Sequence, residues 1–238
     1  VYPGFSYNPD IKMFGFELTR RPSNNFQVDF GGVIASRNIS NIFLGINYYY
    51  FNRILNHVSA NFYTGSFYKS AQVKARLDFP SLGQFYIEPE ATFNSWNFVE
   101  GNDIVVKKAN STVLDRIDRR VGVNIGRPVG SSFKASVHAH FISNRDNYIN
   151  SDVLVSTDTL DNLVLTGGRY GFKLETNTLN RKQYANAGKA FLVTFDYFDL
   201  DEDLVPGTTS VYRNTQIEKG HRNWIRGSMI LEQYFRSG

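Results

Sequence analysis

Four histidines are the first residues of this sequence whose types and spacing suggest chemistry. His138 and His140 stand two positions apart, and side chains at that spacing lie on the same face of a β-strand. Two imidazoles placed in this way are able to bind one metal ion. No third ligand is evident in the sequence, because His57 lies three predicted strands earlier. Two polar residues on a strand face are the simpler interpretation, and we predict no metal site.

Nucleophilic catalysis would need a nucleophile held beside a base and an orienting group. His140, Ser143 and Asn144 have the residue types of an outer-membrane phospholipase barrel, but their spacing does not match the His-x-Ser of that family. The sequence contains no Gly-x-Ser-x-Gly elbow and no glycine-rich phosphate loop before a helix. It also contains no cysteine, which excludes Cys nucleophiles, thiolate metal sites and disulfides. We therefore predict no catalytic residue in this chain.

A cluster of acidic residues marks the start of the longest predicted loop, 199–221. Asp199, Asp201, Glu202 and Asp203 offer several carboxylates, and carboxylate oxygens are the ligands that Ca²⁺ prefers. Clusters of this kind are more often solvated loop residues, so we predict no bound cation and no cofactor.

The elements that must position these residues are β-strands. Residues 67–79 show the pattern most clearly, since apolar and polar side chains alternate there with a period of two. The apolar set is Phe67, Ala71, Val73, Ala75, Leu77 and Phe79, and the polar set is Tyr68, Ser70, Gln72, Lys74, Arg76 and Asp78. Similar patterns predict strands over 25–36, 41–51, 56–66, 67–79, 84–97, 119–127, 133–141, 169–175, 190–198 and 223–235. The sequence thus predicts an all-β, antiparallel chain of about ten strands.

Strand length and loop placement favour a transmembrane β-barrel over a soluble sheet. Several strands alternate for ten or more residues, whereas globular strands average about 5–6 and a tilted strand needs about 9–11 to cross a bilayer. The three longest connections, 99–118, 144–162 and 199–221, fall on the same side of such a sheet. Short turns opposite long loops are typical of outer-membrane barrels. No stretch is apolar enough for a transmembrane helix, and a net charge of +4 gives no argument for nucleic acid.

Charged residues within the strands are explained by a polar lumen. Lys74 and Arg76 face Glu88 and Glu90 across the PSLG turn, 80–83, which predicts ion pairs between two neighbouring strands. Aromatic residues near strand ends are typical of the girdles that membrane barrels place at both interfaces.

Glycine pairs and one proline mark irregular places in the predicted strands. Gly31–Gly32 and Gly167–Gly168 predict bends or bulges that help a sheet to curve. Pro89 cannot donate a ladder hydrogen bond, so it predicts a bulge or a local break.

Three segments of the sequence resemble a known family of membrane barrels. They are GGVIASRNISNIFLGINYYYF, SANFYTGSFYKSAQVKARLDFPSLGQFYIEPEATFNSWNF and GSMILEQYFRS. They are similar to the C-terminal barrel of bacterial patatin-like phospholipases. That barrel belongs to the superfamily of outer-membrane assembly factors and two-partner secretion transporters, also called bacterial surface antigens. The resemblance covers residues 25–238 and rests on glycines, aromatics and turns.

The resemblance implies a patatin hydrolase with a Ser-Asp dyad, a small periplasmic domain and a sixteen-stranded barrel. It divides this chain into a pre-barrel segment, 1–24, and a barrel segment, 25–238. The run Asp29-Phe30-Gly31-Gly32 lies in a strand and is not the family's Asp-Gly-Gly/Ala motif, so no catalytic residue is carried over. Arg226-Gly227 is a poor substitute for the superfamily's arginine-bearing lumen motif. About ten strands in place of sixteen predict an incomplete barrel with two open edges.

These arguments predict a non-enzymatic domain in the bacterial outer membrane that anchors, and in a stronger version translocates, a patatin-type phospholipase. The predicted partners are outer-membrane lipid and, through the open strand edges, a second barrel; nucleic acid is not among them. Two alternatives stay open, a complete small outer-membrane channel and a soluble all-β binding module. An autonomous enzyme is the weakest alternative, because no nucleophile, base and orienting group can be assembled.

Overall fold

A computed structural model describes residues 2–9, 13–19, 25–33, 40–81, 83–98, 113–150, 157–180, 185–211 and 216–235. The strands are β1 (Tyr2–Asn8), β2 (Met13–Thr19), β3 (Phe26–Val33), β4 (Asn41–Phe51), β5 (Leu55–Gly65), β6 (Tyr68–Phe79), β7 (Phe85–Asn97), β8 (Val113–Val129), β9 (Phe133–Tyr148), β10 (Asp161–Asn177), β11 (Gly188–Val205) and β12 (Glu218–Tyr234). Within the described ranges, no helix has both the length and the hydropathy needed to span a membrane.

Ten strands form one antiparallel sheet in the order β12-β11-β10-β9-β8-β7-β6-β5-β4-β3. Within the described residues, each strand of this sheet pairs only with its neighbours in the chain, so consecutive strands form hairpins. β3 and β12 are the edges and do not pair with each other, while β1 and β2 form a separate two-stranded sheet. The predicted all-β class and the ten strands from residue 25 onward are confirmed. The division of the chain at residue 24 stays a prediction.

The last five strands are longer than the sequence predicts. β10 spans Asp161–Asn177 against a predicted 169–175, and β11 spans Gly188–Val205 against a predicted 190–198. They extend because backbone pairing does not require apolar side chains, and so the ladder continues after the apolar alternation has ended. Residues 34–36 of the first predicted strand, and 99–112, 151–156 and 212–215 of the predicted long loops, lie outside the described ranges.

The hairpin connections lie along two opposite rims of the sheet. The short-turn rim carries the connections 52–54, 80–84, 130–132 and 178–187. The long-loop rim carries 34–40, 66–67, 98–112, 149–160 and 206–217. The three longest connections share one rim, as the sequence predicts.

The two faces of the sheet are reversed relative to a soluble protein. On the polar face, Glu90 and Asp196 expose only 8% and 1% of their surface. On the opposite, apolar face, Phe141 and Phe195 expose 54% and 55%. Burial of the charged side chains indicates that the sheet curls toward its polar face. The apolar face is left outside, where it meets the surroundings of the protein.

A small apolar cluster lies on the polar face toward the long-loop rim, where Ile142, Phe198 and Leu200 are buried against Leu165. Close to it, Asp161 is fully buried and accepts hydrogen bonds of 2.5 Å from the Asn150 side chain and from the backbone N–H of Gly207. These two donors belong to two different long-loop connections, so Asp161 ties the connections together at the rim.

The irregular positions differ in part from their predicted form. The ladders run without a register shift through Gly31–Gly32 and Gly167–Gly168, so neither pair forms a bulge. Gly167 instead permits close strand approach, since a Cβ there would lie 2.2 Å from the carbonyl oxygen of Asp199. The local break at Pro89 is confirmed. Pairing of β6 with β7 stops after Lys74↔Glu90 and resumes at Leu77↔Ile87 in the same register.

Candidate functional site: two buried carboxylates on the polar face

Asp196 on β11 is only 1% exposed on the polar face and is held by three basic side chains. His138 Nε2 donates to its Oδ1 at 2.9 Å, and Arg169 donates to the same oxygen from Nε at 3.0 Å. Arg226 donates to Oδ2 at 3.0 Å. These partners come from β9, β10 and β12. We call Asp196 and its three partners the Asp196 cluster.

Glu90 on β7 is the centre of a second group, in which a carboxylate again contacts one histidine and two basic side chains. Its Oε1 lies 3.2 Å from Arg120 and 3.1 Å from Nε2 of His140, and its Oε2 lies 3.5 Å from Nζ of Lys74. The Glu90 side chain is only 6% exposed. We call these four residues the Glu90 cluster; its partners come from β8, β9 and β6.

A glycine lies between the carboxylate and the histidine of each cluster. Gly122 on β8 pairs with Glu90 on one side and His140 on the other. Gly171 on β10 pairs with His138 and Asp196 in the same way. A Cβ would lie 2.3 Å from the His140 ring at Gly122 and 2.5 Å from the His138 ring at Gly171. The missing side chains let groups two strands apart meet.

The two clusters meet on β9, where the rings of His138 and His140 are 5.1 Å apart. Both ring nitrogens of His140 are buried, and within the described residues neither has a partner with hydrogen-bond geometry, although Nε2 lies 3.1 Å from Glu90. Each imidazole directs Nε2 to a different carboxylate. The two histidines therefore act as links in an ion-pair network that extends from β6 to β12.

The histidines do not form a metal site with one another in this structure. Among the residues that the structure describes, no group of three or more histidine, cysteine or acidic side chains could hold a metal ion. His57 lies on β5, stacked on Tyr49 with ring centroids 4.2 Å apart, and Nε2 is 3.2 Å from the side-chain oxygen of Asn47. It is thus separated from β9 by three strands of the sheet.

The predicted ion pairs between β6 and β7 are correct for one pair and wrong for the other. Lys74 contacts Glu90, as the sequence predicts. Arg76 instead makes a two-pronged contact with Asp78 on its own strand, at 2.8 and 2.9 Å. Glu88 faces Asn124 of β8, whose amide nitrogen lies 3.5 Å from Oε1. The ladder break at Pro89 accompanies this change, because Arg76 and Glu88 stand in the unpaired stretch.

The phospholipase-like residue types are not brought together. Alternation along β9 places His140 and Asn144 on the polar face and Ser143 on the apolar face. A serine on the opposite face of the sheet cannot be activated by the His140 imidazole.

The acidic cluster lies in β11 and not in a loop, which corrects the prediction from the sequence. Alternation places Asp199, Asp201 and Asp203 on the apolar face near the long-loop rim and Glu202 on the polar face. His221 on β12 lies 3.0 Å from Asp199 and 3.0 Å from Asp201. The four acids therefore do not converge on one cation.

Sequence reasoning missed the basic partners of the buried carboxylates. Arg120, Arg169 and Arg226 each reach a carboxylate that is nearly inaccessible to solvent. Arg226, dismissed above as a lumen motif, lies in β12 and contacts Asp196. The available signal was the run of charged residues at alternate strand positions, with a glycine at one of them in β8 and in β10. Further pairs on this face are Arg116–Asp146, Lys134–Glu175, Lys173–Glu175 and Arg222–Glu202.

Two cavities lie toward the short-turn rim. The larger, about 520 Å³, combines aromatic and basic side chains: Phe51, Phe79, Phe85, Tyr86, Arg76, Arg127 and Lys134 line it. The Arg76 guanidinium lies 4.0 Å from the centre of the Tyr86 ring. The smaller, about 280 Å³, is a groove lined mainly by apolar-face side chains.

Comparisons with known proteins bear on the fold. No protein-family model and no curated protein matches the chain. Chains of solved structures do match, among them BamA from Haemophilus ducreyi in a crystal structure lacking POTRA domains 1–3. The TM-score is 0.58 at 10% identity, over 95% of this chain and 46% of that chain. The ten-stranded antiparallel sheet is similar in fold to part of the BamA β-barrel.

This chain spans less than half of the BamA chain that it matches, and its ten-stranded sheet is not closed. The likeness confirms the predicted resemblance at the level of the outer-membrane-type barrel fold. The link to patatin-like phospholipases stays a prediction, as no comparison bears on it.

Proposed function

We propose that the chain is the membrane-embedded sheet of a bacterial outer-membrane β-barrel protein, and that its own role is structural. The observation that carries this proposal is the reversed burial of the two faces. Charged side chains are enclosed on the polar face, while large apolar side chains such as Val137 and Ile225 expose 53% and 74% of their surface on the other. Water disfavours that arrangement, whereas a bilayer outside and a polar lumen inside favour it.

The height of the apolar face fits a bilayer. On β9 the outward side chains are apolar from Phe133 to Phe141 and become polar at Ser143. Nine residues at about 3.3 Å each give about 30 Å along the strand, or about 23 Å across the membrane for a tilt of about 40°. That height agrees with the apolar band of about 25 Å on outer-membrane barrels. By the same analogy, the short-turn rim faces the periplasm and the long-loop rim faces outward.

Two arginine substitutions on β9 test the membrane placement. Val137→Arg puts a charge at the middle of the apolar band and is expected to destabilise the inserted state by about 2–4 kcal/mol. Ser143→Arg, outward on the same strand but above the band, is the matched control, with an expected effect of about 0–1 kcal/mol. The measurement is the unfolding midpoint in lipid vesicles. Equal effects of the two substitutions would contradict the proposed depth.

Fractionation and heat-modifiability test the proposal as a whole. The chain is expected in the envelope fraction, and a faster band before boiling on a gel is the expected sign of a closed, detergent-stable barrel. A chain that is folded and soluble without detergent would refute the membrane role and favour the all-β binding module.

We propose further that the edges of the sheet are paired in the membrane, since unpaired backbone groups are costly in lipid. Either β3 meets β12, or each edge meets strands outside this sheet, including those of a second copy. The sequence has no cysteine, so single cysteines placed on β3 and β12 report the pairing without background. Disulfides within one chain indicate closure. Disulfide-linked dimers indicate association of two copies. If neither product forms, closure and association of two copies are both contradicted, and pairing of the edges with other strands is the arrangement that remains.

The finer proposal is that this barrel anchors a patatin-type phospholipase. It is supported by the resemblance of segments that the fold places in β3–β4, β5–β7 and β12. An antibody against this chain allows the protein to be captured from its own membranes and treated with a fluorophosphonate, which labels active serine hydrolases. Labelling of the captured polypeptide supports the proposal. Capture without labelling or phospholipid hydrolysis refutes it and leaves the barrel role intact.

A further inference from the structure

One groove on the apolar face is lined by apolar side chains that could contact an acyl chain and by a single cationic side chain, Arg127. It has a volume of about 280 Å³ and is formed by neighbouring strands β7 to β10. Its outward side chains are Phe85, Ile125, Arg127, Ala135, Val137 and Phe172. Ile125 and Val137 expose 42% and 53% of their surface, so the groove is open to the surroundings of the sheet.

Arg127 differs from the cations of the polar face. Arg76, Arg120, Arg169 and Arg226 each contact a carboxylate. Arg127 is exposed on the apolar face and forms no ion pair with any residue in the described ranges. A guanidinium presents its donors in a rigid fork that fits phosphate or carboxylate oxygens in two-pronged contacts. Arg127 therefore presents an unused anion-binding group beside an apolar groove.

Arg127 lies near the short-turn end of the apolar face. Outward positions of β8 read Arg119, Val121, Val123, Ile125, Arg127 and Val129. Arg127 pairs with Ala135, one outward position inside Phe133, where the apolar side chains of β9 begin. Its long side chain can reach from that depth toward the head groups at the same rim. The stacked rings of Phe79 and Phe85, 4.8 Å apart, lie at the same rim and line a cavity with Arg127.

We propose that this groove is a binding site for one phospholipid of the leaflet at the short-turn rim. Arg127 binds the phosphate, and an acyl chain lies over Ile125, Ala135, Val137 and Phe172. The site rests on the proposed membrane placement, which makes the leaflet at this rim the periplasmic one. Outer-membrane lipid thereby becomes a specific ligand of the barrel wall as well as its solvent.

Snorkelling is the competing explanation of Arg127. A long basic side chain at a membrane interface reaches bulk head groups without selecting any lipid. In that case Arg119, on the same face at the opposite rim, and Arg127 would have equal effects on lipid retention. The pair therefore supplies a matched comparison within one strand.

Native mass spectrometry of the chain in detergent, with added phosphatidylglycerol, measures retained lipid directly. The unsubstituted chain is expected to retain one lipid. Arg127→Ala is expected to weaken retention at least tenfold, and Arg119→Ala to leave it unchanged. Val137→Phe, which narrows the groove opposite Ile125 and not opposite Arg127, is expected to weaken retention as well. Equal retention by the Arg127 and Arg119 variants would overturn the site.

A second probe separates lipid from free phosphate. Glycerol 3-phosphate carries the phosphate without an acyl chain and is expected neither to be retained nor to compete at equal concentration. Competition by glycerol 3-phosphate would show that the site recognises phosphate alone, and it would refute the proposed binding of an acyl chain in the groove. Each variant is also run unboiled on a gel. A folded, membrane-extracted barrel without Arg127-dependent retention contradicts this site alone, while a soluble chain contradicts the membrane role itself.

Discussion

Replacing Asp196 by alanine is the sharpest test of the ion-pair network. The substitution removes a carboxylate that is 1% exposed and leaves His138, Arg169 and Arg226 facing one another. Two guanidinium groups and one imidazole then lose their shared acceptor, and Arg169 and His138 stay largely enclosed. We expect the free energy of unfolding to fall, with the secondary structure of the folded state retained.

The expected loss of unfolding free energy depends on how well each partner left without Asp196 can be hydrated. Removing one member of a buried ion pair costs about 3–5 kcal/mol. The Arg226 side chain is already 59% exposed and is readily hydrated, whereas Arg169 and His138 are only 19% and 9% exposed. The expected loss is therefore at the lower end, about 3 kcal/mol, or roughly a hundredfold change in the unfolding equilibrium. Asp196→Asn keeps the shape and removes the charge, so its loss is expected to be smaller.

Urea unfolding of the chain refolded into lipid vesicles gives the measurement. Only two tryptophans are present, and Trp224 is the nearer reporter because it stacks on Phe198 with ring centroids 4.8 Å apart. Asp201→Ala is the matched control: it lies on the same strand and also pairs with a histidine, but its side chain is 79% exposed on the other face. A loss for Asp196→Ala no larger than for the control would refute the network as a source of stability.

Two further predictions concern space and rim contacts. Gly171→Val is expected to abolish the fast-migrating folded band, because a Cβ there would lie 2.5 Å from the His138 ring and 2.6 Å from a backbone oxygen. Gly31→Val is the control and should fold, since no described residue lies within 4 Å of a Cβ at Gly31. Asp161→Ala is expected to leave the barrel folded but to speed proteolysis at 149–160 and 206–217, because it frees Asn150 and the N–H of Gly207. Unchanged cleavage would show that these contacts do not hold the rim.

The strands were predictable because alternation is a local property of the chain. Residues 41–51 and 133–141 alternate clearly, and both are strands. Strand ends were harder to predict, because alternation predicts an end where the apolar residues stop. Beyond the apolar band the side chains of this face turn polar while pairing continues, as at Asp199 and Asp201 in β11. The sequence shows the height of the apolar band, not the length of the ladder.

The candidate site was visible only in part. Alternation identifies His138, His140 and Glu90 as polar-face residues, but their partners depend on the register between strands. Register across β11 and β12 follows a connection, 206–217, whose geometry is not readable from composition. The pairing of Asp196 with Arg226 therefore could not be derived, although the glycines opposite the histidines carried a hint.

The glycine-spanned contacts change how the sheet is expected to come apart. A meander in which each strand touches only its neighbours behaves as a one-dimensional chain that frays from its ends. Gly122 allows a contact between β7 and β9, and Gly171 allows one between β9 and β11. Loss of any strand from β7 to β11 therefore also breaks a contact between strands that are not neighbours. The region from β6 to β12 is thereby expected to unfold as one cooperative block. β3 to β5, outside both clusters, are expected to exchange their amide hydrogens first.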